Sequence, residues 1–320
     1  MRLLSLCQSG GGDMRLIIGL VLAFAVFTTG KADAWGKYGH VTICEISYRL
    51  LTDTARERVN SLIEADSEYT SFNRACLEAD DFPRTRPADH YVNYDRALEK
   101  VSGPSCGDAN SCVISAISGD AQVLADETRA DEERSKALIL LGHWVGDVHQ
   151  PMHVSFADDR GDNLINKRGR CGDARNLHAV WDNCLIEHGV FRMGALERML
   201  GWARFTKAYR AADRLLEELT LEDAEAWSQS EPWEWAAESY DIVRRPNIGY
   251  CTMKSDGCWY EATRRVLGRD EDPRTIQMTQ AYIDQHTQLA EVQLLKAGVR
   301  LAHVINGALD ASYVSASNKQ

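Results

Sequence analysis

The chain is short of apolar runs: among its 320 residues only "LIIGLVLAFAVF", near the start, is long and hydrophobic. A spanning helix needs about 20 such residues, so no stretch downstream reads as a membrane span. Basic charge is also in deficit, with 36 Lys and Arg against 47 Asp and Glu and a formal net charge of −11. That balance excludes a diffuse cationic surface able to hold duplex nucleic acid nonspecifically. A polyanionic ligand would need local positive charge, and a metal cluster is one source of it. Paired C-x-x-C spacings are missing, which counts against cysteine zinc sites. There is no internal repeat and no low-complexity linker, so one domain is the economical organisation. Strand-like alternation is scarce, "ADHYVNYD" being the best short candidate. No N-x-Ser/Thr sequon occurs, which fits a bacterial source.

What is present begins with a leader. Arg15, the apolar stretch and Ala32-Asp33-Ala34 are the charged start, hydrophobic region and small-residue cleavage site of a secretory signal. Residues 1–13 read as an upstream extension, because Met14 alone would start a conventional signal. An uncleaved anchor or a buried core helix are the competing readings. Cleavage after Ala34 would leave 286 residues starting at Trp35, with a new α-amine only five positions from His40. The removed part holds Arg2, Arg15 and Lys31 against Asp13 and Asp33, so the net charge moves from −11 to −12. Eight cysteines remain, and an even count behind a signal reads as disulfides. Three pairs are local (106/112, 171/184, 251/258), which leaves Cys44 with Cys76, although eight cysteines allow 105 pairings.

Helical periodicity dominates the rest. Apolar residues recur at three and four in "VTICEISYRLLTDTARERVNSLIEA", "ISAISGDAQVLADE", "SKALILLGHWVGDVHQ" and "TQAYIDQHTQLAEVQLLKAGVRLAHVINGAL". Irregular segments are expected at 83–112, 155–176 and 244–272, where Gly, Pro, Asp and most cysteines gather. The acidic stretch "LLEELTLEDAEAWSQSEPWEW" reads as a solvated helix face with its tryptophans turned inward.

The chemistry concentrates in "HWVGDVHQPMH". His143 and Asp147 are four apart, so one helical face presents both. Pro151 has no backbone donor and should stop the helix, leaving His153 to approach from the bend. "NLHAVWD" repeats the device with His178 and Asp182. An imidazole and a carboxylate at this spacing form part of a zinc site on a single helix. A lone pair of this kind is also a common surface ion pair. Two pairs together with His153, His90 in "DHYVN" and His40 near the new terminus make a cluster. His149, two residues from Asp147, falls on another face and reads as a structural hydrogen-bonding residue. His188, His286 and His303 lack an acidic partner at metal spacing and read as surface or core histidines.

In order, "WGKYGH", "EADD", "HYVN", "GHWVGDVHQPMH" and "NLHAVWD" resemble the secreted zinc-dependent class I nucleases, the single-strand-specific nucleases and 3'-nucleotidases of moulds, plants, protozoa and bacteria. The resemblance covers nearly the whole of residues 35–320, which read as one nuclease domain. It implies a mainly α, single-domain fold of the zinc-dependent phospholipase C and class I nuclease type, with a trinuclear zinc cleft. One zinc would take Asp80, His90, His143 and Asp147. Its neighbour would take His40, the bridging Asp147 and the α-amine and carbonyl oxygen of Trp35. A third would take His153, His178 and Asp182. Paired metals roughly 3.5–4 Å apart can hold attacking and leaving oxygens and generate hydroxide near neutral pH. The implied reaction is in-line attack of a hydroxide oriented by Asp80, with the third zinc taking the charge on the departing 3'-oxygen. Single-stranded DNA or RNA would yield 5'-nucleotides, and 3'-nucleotides would yield a nucleoside and phosphate.

The same resemblance assigns base binding to Tyr91 and Asn93. Asn93 stands where the family has an aspartate, and its amide both donates and accepts where a carboxylate only accepts. Asn163 keeps a family position beside the phosphate, while Asp162 replaces a glycine and is expected to crowd or repel a phosphate. Pro83 stands where an arginine often sits, with Arg84 beside it, and Asp81 is the rival to Asp80 as ligand. The expected protein is a secreted monomer, extracellular or periplasmic, without stable membrane association. A zinc-dependent phospholipase C is the nearest rival, though its last ligand is usually glutamate rather than Asp182. A non-catalytic secreted zinc-binding protein is the other.

Overall fold

A computed structural model describes residues 35–65, 68–200, 203–259 and 274–313. The signal expected over 14–34 lies outside the described residues. The architecture is helical. Its elements are α1 (Gly36–Arg49), α2 (Asp53–Ala65), α3 (Phe72–Ala75), α4 (Val113–Ala125), α5 (Asp131–His149), α6 (Leu177–Ala179), α7 (Ala195–Leu200), α8 (Arg204–Glu217), α9 (Leu221–Trp227), α10 (Pro232–Val243) and α11 (Gln280–Leu309). Three short two-stranded pairs complete it. β1 (Val92–Tyr94) runs parallel to β2 (Val154–Phe156), β3 (Asn166–Gly169) parallel to β6 (Thr275–Met278), and β4 (Thr252–Lys254) antiparallel to β5 (Gly257–Trp259).

α5 is the axis of the fold. Every residue from Arg134 to His149 except Lys136 is buried, as expected for a helix covered on all sides. Asp131, Glu132 and Glu133 fill its first turn and complement the helix dipole there. At the other end the sequence stops it as expected: Gln150 is the cap and Pro151–His153 form a 3₁₀ turn. Around α5 pack α1, α2, α4, α10 and α11. α11 runs for 30 residues from a Thr279 cap that accepts the N–H of Tyr282. Trp35, Trp144, Trp181 and Trp235 are fully buried.

The strand candidate in "ADHYVNYD" is β1, which pairs Val92–Tyr94 with Val154–Phe156. This pairing carries the segment after His90 alongside the segment after His153. The acidic stretch is divided among α8, α9 and α10, because Thr220 caps α9 and Pro232 opens α10. Of its tryptophans only Trp235 is fully interior, while Trp227 and Trp233 are half-buried against the core. Disulfides join Cys44–Cys76, Cys106–Cys112, Cys171–Cys184 and Cys251–Cys258. No described helix is long and apolar enough to cross a membrane.

Candidate metal centre

The two i,i+4 pairs behave differently. His143 and Asp147 lie on the last turns of α5, with His143 Nε2 3.5 Å from Asp147 Oδ2. His178 is on the single turn α6, and Asp182 follows in a π-helix over Val180–Val190 whose wider coil continues it. His178 Nε2 is 3.5 Å from Asp182 Oδ2. Wide turns of this kind are rare and recur at functional sites.

Asp147 has two faces. Its Oδ1 is 3.3 Å from His40 Nε2, while its Oδ2 is 3.0 Å from His90 Nδ1. Asp80 closes the second side, with Oδ1 3.6 Å from His90 Nδ1 and Oδ2 3.5 Å from His143 Nε2. Three groups of potential ligand atoms result: His40, His143 and Asp147; Asp80, His90 and His143; His153, His178 and Asp182. Asp81, the rival carboxylate, is exposed and belongs to none of these groups. Arg84 holds Asp80 in place, donating from Nε to Oδ1 at 2.9 Å.

Hydrogen bonds fix the histidine tautomers. A carbonyl oxygen can only accept, so the ring nitrogen facing it must carry the proton. His143 Nδ1 donates to the Cys76 carbonyl at 2.8 Å and His90 Nε2 to the Thr85 carbonyl at 3.1 Å. His153 Nδ1 donates to the carbonyl of His90, and His178 Nδ1 to that of Gly161 at 2.7 Å. In each ring the other nitrogen is then an unprotonated acceptor turned toward the cluster.

This arrangement is unfavourable unless a cation is present. His90 Nδ1, His143 Nε2, both nitrogens of His40 and both oxygens of Asp147 are buried without a hydrogen-bond partner. The Nε2 atoms of His153 and His178 are 3.1 Å apart. Both carry lone pairs, so their proximity is repulsion rather than a hydrogen bond. Buried orphan acceptors of this kind each cost about 1–3 kcal/mol, and divalent metal with N and O ligands removes the cost. The donor set therefore fits divalent cations. Burial pushes the imidazole of His143 down to about 4 and that of His153 well below its ordinary range, so both stay neutral and able to ligate.

Backbone shape makes room for the cluster. A Cβ on Gly146 would lie 2.5 Å from His40 Nδ1, so only glycine lets α1 bring His40 against α5. Trp35 heads α1 in the left-handed region with φ 43°, a strained position for a side chain of this size, and its carbonyl accepts the N–H of Gly39 at 3.1 Å. His149 turns away as the sequence reading expects. It donates to the Val145 carbonyl and accepts from Arg300, and burial holds it near 3. His286 is a core residue that packs on Trp181 and Tyr282. His188 is half-buried, and His303 is half-buried beside Tyr313.

A cleft of about 990 Å³ opens onto His153 and His178. Tyr91, Asn93 and Asn163 line it, together with Arg84, Lys100 and Arg160. Tyr91 is exposed, whereas the Oδ1 of Asn93 is buried without a partner. Asn163 donates to the Arg160 carbonyl and accepts from Asn176. Lys100 carried no motif signal, because only the fold brings it to this cleft, whereas Arg160 lies three residues before Asn163 and was not singled out. Asp162 differs from its expected role: it is fully buried and faces His178, so it does not crowd the cleft.

A buried nest of histidines and aspartates beside an open cleft, on a helical scaffold, defines a metal-dependent hydrolase type of site. Residues 35–310 match the S1/P1 nuclease family model. Endonuclease 2 of Arabidopsis thaliana is 30% identical over 187 residues, covering 54% of this chain and 63% of the relative. Endonuclease 4 of the same plant is 27% identical over 86% of this chain and 89% of its own length. Nuclease P1 of Penicillium citrinum is 24% identical over 85% and 97%. The chain belongs to the S1/P1 nuclease family.

Proposed function

We propose that this protein hydrolyses single-stranded DNA and RNA to 5'-nucleotides, and removes phosphate from 3'-nucleotides, with three zinc ions. The observation that carries the reading is the two-faced Asp147, whose oxygens address His40 on one side and His90 and His143 on the other. Asp80, His90, His143 and Asp147 would hold one zinc, and Trp35, His40 and Asp147 its neighbour. His153, His178 and Asp182 would hold the third. Zinc bound in these sites supplies Lewis-acid stabilisation of phosphate charge and makes water a competent nucleophile near neutral pH.

The chain's own residues do the remaining work. Asp80, steadied by Arg84, would orient the attacking water. Lys100 and Arg160 would attract the phosphate backbone into the cleft, which reconciles an acidic protein with an anionic substrate. Tyr91 would stack on a base. Asn93, which lines the cleft, would hydrogen-bond the edge of a base, its side-chain amide being able both to donate and to accept. Duplex DNA offers no unstacked base to Tyr91, which favours single strands. The reading includes export and cleavage after Ala34, leaving residues 35–320 as one secreted monomeric domain, and the family match begins at the same Trp35.

Purified protein supplied with zinc should degrade single-stranded DNA, RNA and 3'-AMP and leave 5'-phosphate ends. Failure on all three substrates removes the enzymatic reading. Turnover of phosphatidylcholine instead would make the protein a phospholipase.

A further inference from the structure

Asp162 is one of the buried groups that this mechanism does not use. Its side chain is fully enclosed, and its Oδ1 lies 2.9 Å from His178 Nδ1 while its Oδ2 has no hydrogen-bond partner. Its backbone has φ 58°, the left-handed region where glycine is unstrained and other residues cost about 1–2 kcal/mol. A buried, half-satisfied carboxylate on a strained backbone costs stability twice. Asp162 therefore needs a return other than packing.

We propose that Asp162 is a positioning residue for the third cation site. Its carboxylate shares the Nδ1 proton of His178 with the Gly161 carbonyl and aims the ring's Nε2 at His153 and Asp182. The inference rests on the reading that this cluster holds a cation. A ligating histidine that donates its second nitrogen to a carboxylate is fixed in tautomer and orientation and is a more basic ligand. The Gly161 carbonyl, 2.7 Å from Nδ1, already selects the tautomer. The Asp162 oxygen, 2.9 Å from the same nitrogen, adds a second anchor for the ring.

The loop that delivers this carboxylate is braced from behind. The Asp162 N–H donates to Asp159 Oδ1 at 2.8 Å. Asp159 Oδ2 accepts from Arg96 Nη2 at 2.6 Å and from the Tyr250 hydroxyl at 2.5 Å. Arg96 also reaches Asp158 at 2.7 Å and the Cys258 carbonyl at 3.0 Å. The backbone at Asp162 is thus held through bonds that do not involve the Asp162 side chain, and they persist when that side chain is changed.

The test compares wild type, Asp162→Gly and Asp162→Asn by zinc content per chain in competition with a graded chelator, together with thermal melting of the zinc-free proteins. Glycine suits the backbone, so zinc-free Asp162→Gly should melt no lower than wild type. It should nonetheless lose one zinc at about 10–100-fold weaker chelation, the usual effect of removing such a partner. Asn keeps an acceptor oxygen and should hold zinc close to wild type. Wild-type retention by Asp162→Gly, or a lowered melting point with unchanged zinc affinity, overturns this inference alone. Wild type that holds no zinc overturns the metal reading along with it.

Discussion

His143 donates from Nδ1 to the carbonyl oxygen of Cys76 at 2.8 Å, and Cys76 is itself bonded to Cys44 of α1. The disulfide thus connects the helix that carries His40 to the carbonyl that orients His143. A Cβ on Gly142 would lie 2.5 Å from the Cys76 sulfur, so the bridge lies flat against α5. Closing a loop with a sequence separation of 32 is worth about 3–4 kcal/mol by chain entropy. Replacing both cysteines by serine should lower unfolding stability by about that amount in a urea titration and weaken zinc retention as well. Unchanged zinc retention would detach the bridge from the site.

Asp147 is predicted to matter more than any other single residue of the cluster, because in the proposed site two zinc ions would share it. Asp147→Asn should reduce kcat beyond the about 10–100-fold typical of an outer-shell partner. Zinc analysis should register a loss of more than one ion per chain. Loss of a single ion would mean that the carboxylate does not bridge.

Gly146→Ala tests close packing at the same place. The added Cβ would meet His40 Nδ1 at 2.5 Å with no room to retreat into α5. Overpacking of this type costs about 1–3 kcal/mol. Displacement of His40 should lower zinc affinity in the same variant, measured by competition with a chelator.

Much of this centre was legible in the sequence because helices convert spacing into direction. The i,i+4 rule reads His143 with Asp147, and Pro151 gives the bend that brings His153 back. The π-helix after His178 was not legible, since its i→i+5 bonds leave no distinct periodicity over 11 residues. Nor were the acceptors that set the tautomers, because the carbonyls of Cys76, Thr85 and Gly161 are backbone atoms that any residue could supply. Asp162 was read as a cleft residue because its motif lies beside Asn163. The left-handed turn at Arg160, Gly161 and Asp162 directs it inward. The pairing of β3 with β6 joins segments more than 100 residues apart, a contact that local patterns do not encode.

Tyr91 is predicted to hold substrate without taking part in bond cleavage. One stacked base is worth about 1–3 kcal/mol. Tyr91→Ala should therefore raise KM for single-stranded DNA about tenfold or more while zinc content stays at the wild-type level. A change in zinc content would mark Tyr91 as structural.

Glu238 makes a pH-dependent contribution to stability away from the histidine and aspartate cluster. Burial opposes its charge, but hydrogen bonds and attraction from Arg300 and Lys296 outweigh that and hold it at about 2, below the ordinary 4.5. A carboxyl with a depressed native pKa contributes stability above the unfolded value and loses it as pH falls toward the native value. The stability difference between wild type and Glu238→Gln should be constant near neutral pH and close between pH 4.5 and about 2. Its size is on the order of 1 kcal/mol, because the side chain is 35% exposed and partly screened. A difference that ignores pH would contradict the assignment.

The most direct measurement is zinc stoichiometry followed against nuclease rate as chelator-stripped protein is titrated with zinc. The account predicts no cleavage of single-stranded DNA in the stripped protein and full rate at three zinc ions per chain, with 5'-phosphate ends on the products. Full activity in the stripped protein, or saturation below three ions, would contradict it.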